Sequence, residues 1–232
     1  MTARWTTRRI RESKGREKLV CLTAADYATA KIMDESGVHL ILVGDSLAMT
    51  VLGYQDTLPV TMAQMLHHTA AVVRGASHAL VVADMPFMSY QASEQEAVAN
   101  AGRFLKKAGA GAVKVEGGEF RAPLVRTLAD NGIPVMGHIG LTPQSINELG
   151  GYTVRGRQKE EADRLLTDAR ALERAGVFAL VLECMPAALG GEISRSVAVP
   201  TIGIGAGPDC DGQILGSHDM LGLYEKRSPR FV

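Results

Sequence analysis

Four acidic residues stand where short apolar runs stop. Asp45 follows His39-Leu-Ile-Leu-Val-Gly, Asp84 follows Ala79-Leu-Val-Val-Ala, Glu116 follows Gly111-Ala-Val-Lys-Val, and Glu183 follows Phe178-Ala-Leu-Val-Leu. A strand covered on both faces is apolar along its length, so each acid is expected just beyond or at the carboxyl end of a buried parallel strand. Asp45, Asp84 and Glu116 then offer hard oxygen ligands from three strands, a donor set that suits Mg²⁺ with water and substrate filling the remaining positions. A cation also explains why like charges gather, since clustered carboxylates otherwise repel and raise one another's pKa. For any single acid, capping a following helix or pairing with a base is an equally good account; the fourfold repetition favours a shared mouth.

Lys114 lies two residues before Glu116, so strand alternation puts both on one face. An inward ammonium needs negative charge: a substrate carboxylate or carbonyl beside the metal, or a plain ion pair with Asp84 or Glu116. Glu183 is the natural general base if the metal occupies the other three acids, and a salt bridge to Arg155 or Arg157 is its bland alternative. His138, after Ile133-Pro-Val-Met-Gly, either touches substrate or is a hydrogen-bonded scaffold residue. The glycines of 203–207 resemble a phosphate cradle, or simply allow a tight bend.

The elements needed to position these side chains alternate along the chain. A first strand is expected over Leu19–Thr23, a helix over Ala25–Glu35 stopped at Gly37, and the second strand before Asp45. Thr61 with Gln64, and Ser93 with Glu96, are capping-box signatures for the next two helices. Residues 124–129 and 160–174 read as helices, 133–138 and 199–203 as strands, and 192–196 as a weak helix; 213–223 is the least defined stretch. About seven or eight strand–helix alternations without a linker predict one (β/α)8 TIM barrel over residues 1–232, with 1–18 a short helical cap. A doubly wound open sheet is the alternative, and no Gly-x-Gly-x-x-Gly turn follows the first strand to support its dinucleotide-binding form.

The 232 residues suit one such barrel, typically ~250 residues long. With 46% hydrophobic but only 5% aromatic residues, the core is expected to be aliphatic. The 25 basic and 25 acidic residues cancel, which argues against nucleic acid or an anionic membrane as partner, and the basic stretch 6–18 reads as a surface helix rather than a nucleic-acid arm or transit peptide. Cys21, Cys184 and Cys210 form neither a disulfide framework nor a zinc motif. With no membrane-spanning run and no secretory core, a cytoplasmic protein is expected.

The motifs Val43-Gly-Asp-Ser-Leu, Ala83-Asp-Met-Pro-Phe, Val113-Lys-Val-Glu-Gly-Gly, Gly137-His-Ile-Gly-Leu-Thr-Pro-Gln-Ser, Leu182-Glu-Cys-Met-Pro and Ile202-Gly-Ile-Gly-Ala-Gly, in this order, resemble the ketopantoate hydroxymethyltransferases. That resemblance implies a barrel of the phosphoenolpyruvate-mutase and isocitrate-lyase type, assembled as a homodecamer. It implies transfer of a hydroxymethyl group from 5,10-methylenetetrahydrofolate to 3-methyl-2-oxobutanoate, giving 2-dehydropantoate for pantothenate biosynthesis, through a Mg-stabilised enolate. Carried over by position, Asp45, Asp84 and Glu116 surround Mg²⁺; Asp45, Ser46, Asp84 and Lys114 contact the ketoacid; and Glu183 is the proton acceptor. The chain departs from the family pattern at Ala25, where a Tyr is usual, at Gly190-Gly191, and at the C-terminus, where relatives continue through further helices. Two other readings share the barrel. A Mg²⁺-dependent oxoacid lyase or mutase commonly brings a Lys-Lys-Cys-Gly-His type loop, absent from this sequence. A catalytically inactive barrel kept for assembly is opposed by the intact Asp45, Asp84, Lys114, Glu116 and Glu183.

Overall fold

The apolar runs become strands in the computed structural model, which describes residues 4–224 and 231–232. They are β1 (Leu19–Thr23), β2 (Leu40–Val43), β3 (Leu80–Asp84), β4 (Ala112–Glu116), β5 (Val135–Gly140), β6 (Ala179–Glu183), β7 (Thr201–Ile204) and β8 (Gly212–Leu215). They hydrogen-bond in sequence order and close into a barrel, which excludes the open doubly wound sheet. Neighbours such as β1–β2, β2–β3, β5–β6 and β6–β7 run parallel. Every residue of β2, β3 and β4 is buried, as expected of strands flanked by helices on one side and barrel interior on the other.

The helices are α1 (Thr7–Glu12), α2 (Tyr27–Glu35), α3 (Leu47–Thr50), α4 (Met62–Gly75), α5 (Glu94–Arg103), α6 (Ala122–Asp130), α7 (Ile146–Leu149), α8 (Lys159–Ala175), α9 (Ala187–Ser196) and α10 (Ser217–Met220). The first capping box forms in full and the second only in its serine half. Thr61 Oγ1 accepts from Gln64 N while Gln64 reaches back to the Thr61 N–H, and Ser93 Oγ accepts from Glu96 N. Helix α2 starts two residues later than the sequence suggests, because Asp26 is its N-cap and accepts from Thr29 N. Helix α9 starts five residues earlier than the expected 192–196. Its Gly190 and Gly191 discourage a helix in sequence terms, yet a Cβ on Gly190 would lie 2.2 Å from Ala206 O; these glycines let α9 lie against the turn after β7. The ill-defined stretch 213–223 contributes most of β8 and α10. The expectation about the C-terminal end falls partly on residues 225–230, outside the described residues.

The described residues group into two compact units: those of Met1–Thr7, Val20–Val113 and Ile214–Val232, and those of Arg8–Leu19 and Lys114–Gln213. In the first, Trp5 donates its N–H to His78 O and packs edge-on against His39, so the N-terminal segment meets the amino ends of β2 and β3. Beside it, the buried Asp34 of α2 accepts the backbone N–H groups of Ser77, His78 and Ala79 at 3.0, 2.9 and 2.6 Å. In the second unit, Asp211 accepts from Lys14 Nζ at 2.6 Å and from Thr201 N, the first residue of β7, at 2.8 Å. Both anchors sit at amino ends of strands. Among the described residues, no helix is long and apolar enough to cross a membrane.

Candidate active site

The first unit carries Asp45, Ser46 and Asp84. Strand β2 ends at Val43, and Gly44 turns the chain so that Asp45 follows directly; both acids are almost fully buried, at 4% and 3% exposure. Asp84, the last residue of β3, accepts the Asp45 N–H through Oδ2 at 2.9 Å and so ties one strand end to the next. A Cβ on Gly44 would stand 3.0 Å from Ser46 Oγ and 3.6 Å from Asp84 Oδ2, so the absent side chain keeps this corner open. Ser46 precedes α3 and borders a small cleft with Thr23, Gly44, Thr50 and Ser217. Two buried carboxylates with hard oxygens at adjacent strand ends, beside a corner a Cβ would crowd, fit a cation such as Mg²⁺. Among the described residues no cluster of three His, Cys, Asp or Glu is arranged as a metal centre; Mg²⁺ commonly takes only one or two protein carboxylates and completes its shell with water and substrate.

The second unit carries Lys114, Glu116, His138 and Glu183 on the consecutive strands β4, β5 and β6. As alternation requires, Lys114 and Glu116 are both buried. Lys114 Nζ lies 3.0 Å from His138 Nδ1 and 4.0 Å from Glu116 Oε1, so of these two groups the imidazole is the closer. His138 is therefore a hydrogen-bonded buried residue, with Glu116 Oε1 at 3.5 Å from Nδ1 and Glu183 Oε2 at 3.1 Å from Nε2. Burial would raise the Glu116 pKa, but the hydrogen bond and charge of His138, the charge of Lys114 and the Gln144 N–H together hold it below its usual value. For His138, burial and Lys114 push downward, yet the neighbouring Glu116 and Glu183 carboxylates prevail and its pKa is raised.

Glu183 differs from its neighbours in access: its side chain is 16% exposed, against 3–5% for Lys114, Glu116 and His138. Arg155, one candidate for neutralising it, pairs instead with Glu161, and its backbone N–H donates to Cys184 O. Sequence reasoning missed three supports of this cluster. Gln144, in the Thr-Pro-Gln turn after β5, donates its N–H to Glu116 Oε2 at 3.0 Å. Cys184, beside Glu183, adopts a positive φ of 49°. Gly140, paired with Glu183 across β5–β6, has φ +97°, and a Cβ there would lie 2.2 Å from Glu183 O. Gly140→Ala is accordingly expected to cost about 1–3 kcal/mol from backbone strain alone and to displace Glu183; a lowered melting temperature together with reduced activity would show both. In the 203–207 turn, Gly207 has φ +85° and its Cβ would meet Ala187 Cβ at 2.4 Å, so this glycine serves close packing of the bend against α9.

The ketopantoate hydroxymethyltransferase family model matches residues 4–232. The chain is 58% identical over 228 residues to the 3-methyl-2-oxobutanoate hydroxymethyltransferase of Syntrophus aciditrophicus, covering 98% of this chain and 84% of that protein. It is 59% identical over 216 residues to the enzyme of the same name from Carboxydothermus hydrogenoformans, covering 93% and 78%. Among solved structures, a phosphonopyruvate hydrolase complexed with oxalate and Mg²⁺ superposes with a TM-score of 0.69 at 16% identity, covering 94% of this chain and 83% of the other. The 2,3-dimethylmalate lyase, of the PEP mutase/isocitrate lyase superfamily, gives a TM-score of 0.65 at 15% identity, covering 94% and 82%. The structural likenesses establish the shared barrel; the family model over residues 4–232 and the sequence likeness over nearly the whole chain establish that the chain belongs to the ketopantoate hydroxymethyltransferase family.

Proposed function

We propose that this protein transfers a hydroxymethyl group from 5,10-methylenetetrahydrofolate to 3-methyl-2-oxobutanoate, giving 2-dehydropantoate in pantothenate biosynthesis. The observation that carries the proposal is Glu183: a carboxylate with access to solvent, at the carboxyl end of β6, beside a buried Lys–His–Glu cluster. Asp45, Asp84 and Glu116 would hold Mg²⁺, with the family membership and the Mg²⁺-bearing neighbour supporting the choice of residues and ion. When bound, Mg²⁺ supplies the charge that holds a 2-oxoacid through its carboxylate and keto oxygens and offsets the negative charge developing as C3 is deprotonated. Ser46 and Lys114 contact the ketoacid as hydrogen-bond donors, and Asp45 and Asp84 border it. Glu183 accepts the C3 proton, after which C3 bonds to the methylene carbon of the folate, the C–N bonds of that carbon break, a water supplies the hydroxyl oxygen and tetrahydrofolate leaves. The cytoplasm, which suits the free thiols of Cys21, Cys184 and Cys210, and a homodecameric assembly belong to the same proposal.

Proton NMR of 3-methyl-2-oxobutanoate in D₂O, with enzyme and Mg²⁺ and an EDTA control, tests it through loss of the C3 proton signal. Metal-dependent exchange is the expected result. Silence both without and with the folate would remove the proposal. Asp84→Ala is expected to weaken Mg²⁺ binding at least about tenfold, since loss of a direct ligand should cost no less than the ~10–100-fold seen for outer supporting partners. Isothermal titration with Mg²⁺ measures this, and unchanged affinity would move the metal elsewhere.

A further inference from the structure

We infer that His138 is a positioning residue for Glu183: it occupies Oε2 of the carboxylate, so that Oε1 is the oxygen that takes the substrate proton. The inference rests on the proton-acceptor reading of Glu183 above and deepens it.

The argument begins with what each group can donate. A lysine ammonium has hydrogens and no lone pair. Lys114 Nζ stands 3.0 Å from His138 Nδ1. On the other side of the ring, Nε2 stands 3.1 Å from Glu183 Oε2, which as a carboxylate oxygen only accepts. A neutral imidazole with its hydrogen on Nδ1 would oppose two donors at Lys114 and two acceptors at Glu183. The neutral form with its hydrogen on Nε2 satisfies both contacts. The cationic form also carries Nε2–H, but its Nδ1–H would then oppose the Lys114 ammonium at 3.0 Å, with Glu116 Oε1 3.5 Å away. In either form the hydrogen facing Glu183 is on Nε2, so the contact does not depend on the charge of the ring. The choice of which nitrogen bears hydrogen follows from these partners.

Rigidity is the second part. His138 is 2% exposed, Lys114 4% and Glu116 5%. Backbone bonds fix their strands: Gly117 N–H donates to His138 O at 3.0 Å, and Leu141 N–H donates to Glu183 O at 2.9 Å. The β5–β6 register pairs His138 with Val181 and Gly140 with Glu183, so backbone and side chain of β5 grip the same residue of β6. Nε2 and Oε2 stand 3.1 Å apart, but the Nε2–H does not point at Oε2, so the bond inferred here forms only when the Glu183 carboxylate and the ring turn toward each other. A glutamate with two torsions beyond Cβ and partial solvent access would otherwise sample several rotamers. An acceptor held in one of them is a base in near-attack position, and a misplacement of about 1 Å costs on the order of 10²-fold.

The test compares His138→Gln, His138→Asn and His138→Leu in the Mg²⁺-dependent C3 exchange of 3-methyl-2-oxobutanoate, with kcat and KM separated and folding checked by circular dichroism. The Gln amide nitrogen reaches roughly the place of Nε2, whereas the Asn amide stops near Nδ1 and Leu donates nothing. The expected result is a kcat about 10–100-fold lower for Leu and Asn with the ketoacid KM little changed, and recovery to within about tenfold of wild type for Gln. Equal kcat for Gln and Asn, or losses confined to KM, would overturn the inference, and this comparison stands if the Leu variant fails to fold. A wild-type enzyme that exchanges no proton with or without folate would overturn the proton-acceptor reading itself, a different outcome from active wild type with indistinguishable variants.

Discussion

Glu183→Gln lowers the rate of C3 proton exchange by about 10²–10⁴-fold, the range for removal of a positioned general base. The amide matches the carboxylate in size and keeps an oxygen that can accept from His138 Nε2, so the local arrangement at β6 is preserved. What is lost is the basic lone pair on the second terminal atom. Mg²⁺ and ketoacid binding are expected to remain close to wild type, because Glu183 is assigned to neither. Exchange followed by proton NMR, with ketoacid affinity measured by calorimetry in the presence of Mg²⁺, separates the two. Exchange that persists within tenfold of wild type would remove Glu183 from the reaction, and a parallel loss of metal affinity would make it a ligand instead of a base.

Asp34→Ala produces the largest expected loss of stability. Its carboxylate takes three successive backbone N–H groups and the His78 ring, and the alanine leaves all of them without that acceptor. Ala79 is buried while Ser77 is exposed to water, so the three backbone donors are not equally penalised. At about 1–3 kcal/mol for a buried unsatisfied group and less for a wet one, a total of about 2–4 kcal/mol follows, readable as a shifted urea midpoint. Acid titration supplies a second signature. Burial alone would raise the Asp34 pKa, but the Ala79, His78 and Ser77 donors outweigh it and hold the folded value below the ordinary one. A group depressed in the folded state stabilises fully above its unfolded pKa, ~3.9 for Asp, and that contribution is lost as pH falls through the folded value. The gap between wild type and Asp34→Ala should therefore be constant near neutrality and close below about pH 4. A gap that stays open in acid would mean that the ionised carboxylate is not its source.

Much of this architecture was legible because parallel strands in a closed barrel leave a simple trace. Val81-Val-Ala83 and Leu180-Val-Leu182 are apolar without interruption, and the acid that ends each run marks the rim. The capping residues Thr61 and Ser93 were equally visible, since they act within four residues of themselves. Strand β8 was not, because Gly212-Gln213-Ile-Leu215 is short and carries an exposed Gln213. The sequence shows only the end of helix α9, because Gly190 and Gly191 have poor helix propensity and the need for the first of them arises from the Ala206 backbone 16 positions later in the chain. The Lys114–His138–Glu183 contacts are of the same kind. Each residue was identifiable as a strand-end group, but the pairing of the two ring nitrogens depends on three neighbouring strands and their register, which no local spacing encodes.

Strand β3 has an aspartate associated with each end. Asp34 grips the residues just before it, and Asp84 closes it, so at ~3.3 Å per residue its five residues put roughly 15 Å between anchor and rim. Substitutions that far apart, with no shared partners, combine nearly additively. The amino ends of the strands can thus absorb stabilising changes that compensate costly ones at the carboxyl ends, and a barrel of this kind can explore new substrates at its rim without first rebuilding its foundation. Evolvability, in this chain, is a matter of strand length.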